Sequence, residues 1–321
     1  MNLLKNMRTA WIKPAQVNFQ NLMFWVPSFE VLEPLLASIE QVGILNPPVV
    51  KGDEYNIFSP ILGRRRLQVA AALKFESVEV RIADSSLNDD DKYLMAFWDN
   101  FARIKQDPAV KAHTIKRLLE LFSREILAKN ILPFIDTPPR GPKLERLRKI
   151  GGLENNILEA ISDGKIQEKS AILFAELPFN ERQAVFKLVC NLGLNSNKAF
   201  EIISSLFDLS ILWKKPVTDL LSDPDAVRIL DDSVLSAQER ASAFRDSLKS
   251  WKHPYIYEKQ KGFEGWAREI HPPENVRMRP AQSFEDDSVS IEMRLDSRAE
   301  AEKFLTVIDQ YKKETPGKAN D

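Results

Sequence analysis

Three consecutive arginines follow a glycine at position 63, where a short apolar stretch gives way to a helical pattern. Glycine allows the backbone to approach an anion closely, and the first N–H groups of a helix have no intrahelical acceptor. Guanidinium groups bind phosphate oxygens through paired hydrogen bonds. Gly63, Arg64, Arg65 and Arg66 therefore predict a phosphate-binding turn. Adjacent arginines are also common on exposed helix surfaces, so a purely structural interpretation stays open.

A second polar group lies near the end of a helix predicted from Asn88 to Arg103. The carboxylate of Asp99 and the amide oxygen of Asn100 suit Mg²⁺ beside a phosphate, and Arg103 can bind the phosphate itself. The alternative is a surface ion pair between Asp99 and Arg103, which are four residues apart on one helical face.

Helical and extended patterns alternate around these two motifs. An amphipathic helix over 28–42 ends at Gly43, and strands are predicted over 55–59 and 77–84. Residues 1–106 therefore predict a compact α+β domain, in which both motifs lie at the ends of regular elements.

The two motifs together resemble the N-terminal domain of the ParB family of chromosome and plasmid partition proteins. Residues 43–50 match the family's Gly-Ile-x-x-Pro-x-x-Val pattern, and residues 63–70 match its Gly-x-Arg-Arg-x-x-Ala-Ala pattern through Gly63, Arg65, Arg66 and Ala70. Residues 99–103, followed by a proline and an alanine at the family spacing, match Glu-Asn-x-Gln-Arg, with Ala102 in place of the glutamine. Arg64 and Asp99 replace the glutamates of these patterns.

This resemblance implies a ParB/sulfiredoxin-like fold and a bound nucleotide, CTP in the partition proteins, with Mg²⁺. It implies that Asp99 and Asn100 lie at the metal. The nucleotide-binding residues that it implies are Asn46, Gly63, Arg64, Arg65, Arg66, Asn100 and Arg103. The replaced glutamates favour binding over turnover, and no residue is assigned a catalytic role.

Sulfiredoxin shares this fold, but its chemistry needs a cysteine in the phosphate loop. The single cysteine of the chain is Cys190, far from residues 59–66. Sulfiredoxin activity is thereby excluded, and a disulfide or a Cys-rich zinc site is excluded as well. Cys190 lies in an apolar run, which predicts a core position.

The segment 103–150 carries 12 basic and 5 acidic side chains, a net charge of +7, whereas the whole chain has a net charge of -1. Part of this charge lies on a predicted helix after a proline-rich loop. Phosphate contacts from such a helix give affinity for DNA without sequence choice. A solvated basic helix is the alternative. The candidate DNA-binding residues are Arg140, Lys143, Arg146, Arg148 and Lys149.

Residues 157–177 resemble the ParB segment that follows its helix-turn-helix, but the helix-turn-helix itself is not evident upstream. The sequence from 107 to 250 predicts an all-helical domain. Residues 251–321 predict a small β-β-α module, whose final helix buries Phe304, Leu305 and Ile308, and which can serve self-association as a homodimer.

No apolar run reaches the roughly 18 residues of a membrane span, and no signal peptide is recognisable. We therefore expect a cytoplasmic protein. The leading hypothesis is a ParB-like DNA-binding protein regulated by a nucleotide, in chromosome or plasmid partition or in transcription. Two alternatives stay open: a Mg²⁺-dependent nuclease or phosphotransferase, and a non-catalytic adaptor with a degenerate pocket.

Overall fold

The computed structural model describes residues 7–281 and 284–314. Its first part is a four-stranded sheet flanked by helices. The elements follow in the order β1 (Arg8–Ile12), α1 (Glu33–Val42), β2 (Val49–Gly52), β3 (Phe58–Leu62), α2 (Arg64–Ala72) and β4 (Val78–Ile82). The strands lie in the order β1-β4-β2-β3, in which β2 and β4 are parallel and the other pairs are antiparallel.

Helices make up the central part of the chain. They are α3 (Asp89–Asp99), α4 (Phe101–Gln106), α5 (Pro108–Leu121), α6 (Arg124–Asn130), α7 (Pro142–Ile150), α8 (Asn155–Ser162), α9 (Glu168–Glu176), α10 (Phe179–Asn191), α11 (Ser196–Trp213), α12 (Val217–Leu221), α13 (Pro224–Leu230), α14 (Ala237–Lys252) and α15 (Pro254–Ile270). A two-stranded hairpin of β5 (Val276–Pro280) and β6 (Val289–Met293) and a last helix, α16 (Arg298–Glu314), follow. The predicted α+β class is confirmed.

Two clusters of buried apolar side chains hold these elements together. The smaller cluster lies between the sheet and α2 and includes Val50, Leu67 and Val80. The larger one runs continuously from Phe24 through the central helices to Leu248. The helices therefore pack directly on the far side of the first sheet, while the domain boundaries at 106/107 and 250/251 stay predictions.

The strand predicted over 55–59 instead ends at Leu62, directly before Gly63. Pro60 lies inside it, which is tolerated because β3 is at the edge of the sheet and a proline there costs few ladder hydrogen bonds. The turn at Gly63, the predicted phosphate-binding turn, thus follows the strand without intervening residues.

Several predicted details are wrong for reasons of local geometry. The helix predicted through Arg103 breaks at Asn100, which has φ −102° and ψ 12° and separates α3 from α4. Cys190 is exposed, because α10 buries Val185, Leu188 and Val189 on its other faces. Leu305 is exposed on α16, whereas the neighbouring Phe304 and Ile308 are half-buried.

Candidate nucleotide and DNA sites

A cavity of about 500 Å³ lies where the start of α2 meets the junction of α3 and α4. Its volume is within the range of small-molecule sites in proteins. The cavity brings together the two sequence motifs, although more than 30 residues separate them along the chain. The sequence-predicted residues that line it are Gly63, Arg64, Arg65, Arg66, Asp99, Asn100 and Arg103.

Gly63 is required at the turn into α2 by its conformation and by its surroundings. Its φ of 75° and ψ of 26° lie in the left-handed region, which is costly for residues with a β-carbon. A β-carbon there would also come within 3.0 Å of the Arg66 guanidinium, which folds back over the glycine. No side chain caps α2, so its first N–H groups line the cavity without an intrahelical acceptor.

Two of the three arginines bind backbone carbonyl groups of nearby loops. Arg64 donates hydrogen bonds to the carbonyl oxygens of Phe19 and Asn21. Arg66 donates to the carbonyl oxygen of Asn46, which is itself exposed and does not line the cavity. Burial lowers the pKa of both arginines. These two side chains hold the walls of the cavity and leave part of their charge facing it.

Arg65 ties α2 to the loop before α1. Its guanidinium forms an ion pair with the Glu30 carboxylate and donates to the Val31 carbonyl oxygen at 2.7 Å. The Nε atom of Arg65 is buried and has no hydrogen-bond partner among the described residues. An unpaired buried donor of a charged group is costly. The Arg65 side chain also lines the cavity.

Asn100 and Arg103 form a linked pair at the helix break. Arg103 donates from Nη2 to Asn100 Oδ1, and Asn100 Nδ2 donates to the Ala96 carbonyl oxygen at 2.8 Å. The Arg103 pKa is lowered, first by burial and then by the nearby Arg65 charge, against the carboxylates that raise it. Its Nε atom is also buried without a partner in the described part of the chain. The site thus contains two guanidinium groups with unmade hydrogen bonds.

Asp99 is exposed at the rim of the same cavity, and no ion pair joins it to Arg103 within the described ranges. Its charge nevertheless helps to raise the pKa of Arg66 against the effect of burial. Across residues 7–281 and 284–314, no group of three or more His, Cys, Asp or Glu side chains could hold a metal ion. A metal here would need further oxygen ligands from outside the protein, which nucleotide phosphates supply.

The residues present therefore fit a nucleoside triphosphate. The cavity is large enough, the uncapped start of α2 offers free N–H groups, and the guanidinium groups of Arg65 and Arg103 line it. Mg²⁺ fits only as a partner of the phosphates, with Asp99 as its protein carboxylate, because Asn100 Oδ1 accepts from Arg103.

The candidate DNA-binding residues lie on and just before α7. This helix buries Leu144, Leu147 and Ile150 and turns its basic side chains outward. Arg148 pairs with a carboxylate of its own helix, and Lys149 pairs with Glu176 of α9 at 2.6 Å. The remaining three, Arg140, Lys143 and Arg146, are exposed and have no salt bridge to a described residue.

The arrangement of α6 and α7 explains why a helix-turn-helix is hard to see in the sequence. Ser123 caps α6, which ends at Asn130, and α7 begins only at Pro142. A short 3-10 helix, Leu132–Ile135, lies between them. The usual turn of this motif has three or four residues. Ile126, predicted to be buried in one long helix with α5, is instead exposed on α6.

A family model described as the ParB N-terminal domain matches residues 7–101. This segment is a ParB N-terminal domain. Both halves of the cavity's phosphate end, residues 63–66 and residues 99–100, lie inside it. Arg103 lies two residues beyond the matched range.

Relatives of the ParB N-terminal domain extend the similarity over part of the chain. A probable chromosome-partitioning protein ParB from Chlamydia muridarum (strain MoPn / Nigg) is 23% identical over 169 residues, which are 51% of this chain and 55% of the relative. The chain therefore spans about half the length of this curated relative.

Solved ParB structures show weak overall similarity. The Pnob8-like ParB-N domain has a TM-score of 0.38 at 19% identity and covers 78% of this chain and 97% of its own. C-terminally truncated ParB from Caulobacter crescentus complexed with CTP-gamma-S has a TM-score of 0.25 at 18% identity, covering 57% and 99%. The same protein complexed to the centromeric parS site has a TM-score of 0.30 at 15% identity, covering 61% and 98%.

The apolar residues that line one end of the cavity were not predicted from the sequence. This end is formed within the ParB N-terminal domain by the loop before α1, including Phe24, Trp25 and Val26. The Trp25 ring contacts the His113 ring of α5 edge-on, with centroids 5.2 Å apart. Apolar residues in a loop carry no pattern that marks a ligand pocket.

The cavity also reaches beyond the ParB N-terminal domain. Asn155, the first residue of α8, lines it. A single asparagine at a helix start usually indicates local capping, so nothing in the sequence marked Asn155 as part of a ligand site. The position shows that the central helices complete the pocket.

In the described residues no helix is long and apolar enough to cross a membrane.

Proposed function

We propose that this chain binds CTP with Mg²⁺ in its ParB N-terminal domain, and that the nucleotide regulates binding to DNA in partition or transcription. The observation that carries the proposal is one cavity lined by residues of both sequence motifs, among them the guanidinium groups of Arg65 and Arg103. The ParB family model over residues 7–101 supports the domain assignment, and the choice of CTP rests on the resemblance to the partition proteins.

The phosphates would lie at the start of α2. There they receive hydrogen bonds from the free N–H groups and from Arg65 and Arg103, and at partly buried positions the attraction between guanidinium and phosphate is less screened by water. Bound Mg²⁺ would neutralise part of the phosphate charge, with Asp99 as its protein ligand. The apolar end around Trp25 would receive the base.

A nucleotide in this cavity would contact two parts of the chain at once. Asn155 belongs to α8, and α8 follows α7 after a turn of four residues. A ligand shifts a conformational equilibrium only by contacting its states differently. Contact with both the ParB N-terminal domain and Asn155 would supply such a difference and pass it to α7, which carries the DNA candidates.

Self-association is part of the proposal. The C-terminal elements carry large exposed apolar side chains, including Trp266, Ile291, Leu305 and Val307. None of the residues of α15 is buried. An apolar surface of this kind on a small module favours a homodimer.

The first test is calorimetric titration of the full chain with CTP, ATP and GTP in the presence of Mg²⁺, repeated with Arg65→Ala and Asn100→Ala. We expect CTP to bind selectively and both variants to lose binding. Absence of binding by any nucleotide would mean that the motifs remain only as scaffold, and the adaptor hypothesis would then lead.

The second test measures affinity for duplex DNA with and without CTP. Arg146→Gln is expected to weaken binding equally for all sequences and to reduce the slope of log affinity against log salt by about 0.9, the loss of one phosphate contact. Arg228→Gln, in the exposed surface of α13, is the matched control. Divalent-dependent cleavage of the DNA, abolished by Asp99→Ala, would instead favour the nuclease.

A further inference from the structure

Three lysines from three helices converge on Asp136, the residue after the 3-10 helix Leu132–Ile135. Lys105 of α4 places its Nζ atom 3.3 Å from Asp136 Oδ2. Lys143 of α7 donates to the Asp136 carbonyl oxygen at 3.0 Å. Lys111 of α5 is half-buried and lies close enough to both for their charges to lower its pKa, after the larger effect of its burial.

The positive charge of this lysine cluster, Lys105, Lys111 and Lys143, exceeds the negative charge around it. The carboxylates that act on Lys111 are Asp136 and, more weakly, Glu168. Asp136 offers only its carbonyl oxygen to Lys143, and its side chain is 67% exposed. Lys111 is half-buried, whereas Lys105 and Lys143 are exposed. Repulsion of the half-buried Lys111 ammonium group by its two like-charged neighbours is costly, and a bound anion reduces it.

The lysine cluster adjoins the start of α7, where the positive charges are not paired with carboxylates of the described residues. Arg148 and Lys149, at the end of the helix, are already paired with carboxylates. Lys143 and Arg146, nearer its start, have no salt bridge within the described residues. The uncompensated charge of α7 is therefore continuous with the lysine cluster through Lys143, which belongs to both.

We propose that Lys105, Lys111 and Lys143 form a phosphate site for the backbone of duplex DNA, which extends the DNA surface from α7 to α4 and α5. This inference rests on the proposed DNA binding. Lysine ammonium groups act as point charges on phosphate and read no sequence, so the contribution is the same for every duplex. The Asp136 carboxylate competes with the phosphate for Lys105 and therefore lowers the affinity for DNA.

The test is a salt titration of the affinity of the full chain for a random-sequence duplex. The double variant Lys105→Gln/Lys111→Gln is expected to lose on the order of tenfold in affinity at low salt, and its slope of log affinity against log salt should fall by about 1.8, two contacts at about 0.9 each. The matched control is Lys187→Gln/Lys198→Gln, which removes two exposed lysines of α10 and α11 and should retain the parental slope.

Asp136→Asn gives the opposite expectation, because it removes the competing carboxylate and should tighten binding. The lysine site is overturned if the double variant behaves as the control does, or if Asp136→Asn leaves affinity unchanged while Arg146→Gln still weakens it. A parent chain that binds no duplex even at low salt overturns the site together with the proposed DNA function. Circular dichroism and unfolding in urea show whether each variant is folded.

Discussion

Arg103 donates a hydrogen bond to Asn100 Oδ1 across the break between α3 and α4, while its own Nε atom is buried and has no partner among the described residues. Asn100 is fixed in turn by its bond to the Ala96 carbonyl oxygen. The guanidinium is therefore oriented and only partly satisfied. An incompletely bonded, partly buried cation opposes folding, and Arg103 also lines the cavity, so nucleotide affinity and stability should respond in opposite directions when it is removed.

Arg103→Met tests this relationship. Nucleotide affinity should fall at least about tenfold, because a hydrogen bond to a charged group contributes roughly 1.5–3 kcal/mol. The free energy of unfolding should stay the same or rise, since a partly desolvated charge with an unmade bond is removed. Calorimetry with CTP and urea unfolding measure the two effects. Unchanged nucleotide affinity would remove Arg103 from the site, and Arg228→Met controls for the loss of an exposed arginine.

Asp99→Asn tests the metal side of the pocket. If Asp99 is a ligand of Mg²⁺ bound with the phosphates, the increase in CTP affinity that Mg²⁺ produces in the parent should disappear in the variant, whereas affinity without Mg²⁺ should stay equal or improve. Titrations with Mg²⁺ and with EDTA give both values. Asp309→Asn on α16 is the matched control, and a variant that keeps the full effect of Mg²⁺ would place the metal elsewhere.

The two sequence motifs could be recognised because their chemistry follows from residue type, and their role in phosphate binding stays a prediction. A glycine before arginines and an Asp-Asn pair before Arg103 are recognisable without a fold, and the structure gathers them around one cavity. The partners of Arg64 and Arg66 were not predictable in this way. Those arginines bind backbone carbonyl groups, which every residue has, so only the tertiary path of the loops determines the choice.

The missed elements have a similar cause. A continuous apolar repeat predicted one helix to Arg103, but the Asn100 side chain bonds back to the Ala96 carbonyl oxygen and the backbone turns there. The strand predicted over 55–59 instead spans Phe58–Leu62 and includes Pro60, which the edge position of β3 permits. Asn155 reaches the pocket because α8 packs beside the first domain, a relationship that periodicity within each segment does not contain.

Gly151→Ala should push the end of α7 away from α5 and destabilise their contact. A β-carbon at Gly151 would lie 2.2 Å from the Ala112 carbonyl oxygen in the backbone of α5, although its φ of −63° suits alanine. Backbone cannot move aside as a side chain can, so we expect the free energy of unfolding to fall by about 1–3 kcal/mol. Urea unfolding measures it. Gly262→Ala, in α15 with open space around it, should be neutral or stabilising, and equal effects of the two changes would contradict the close contact.

His113 should make the stability of the chain depend on pH. Burial, helped by the Lys116 charge, lowers its pKa to about 4, and its Nδ1 atom is buried without a partner in the described residues. An unfolded chain takes up this proton below about pH 6.5 while the folded chain does not, so stability is lost as the pH falls from about 6.5 towards 4. Between about pH 7 and about pH 5 the loss from this group is about 2 kcal/mol. The measurement is urea unfolding of the parent and of His113→Phe, which keeps a ring against Trp25. The free energy of unfolding lost between about pH 7 and about pH 5 should be smaller in the variant by about 2 kcal/mol. An equal loss in both proteins would show that His113 is not held neutral.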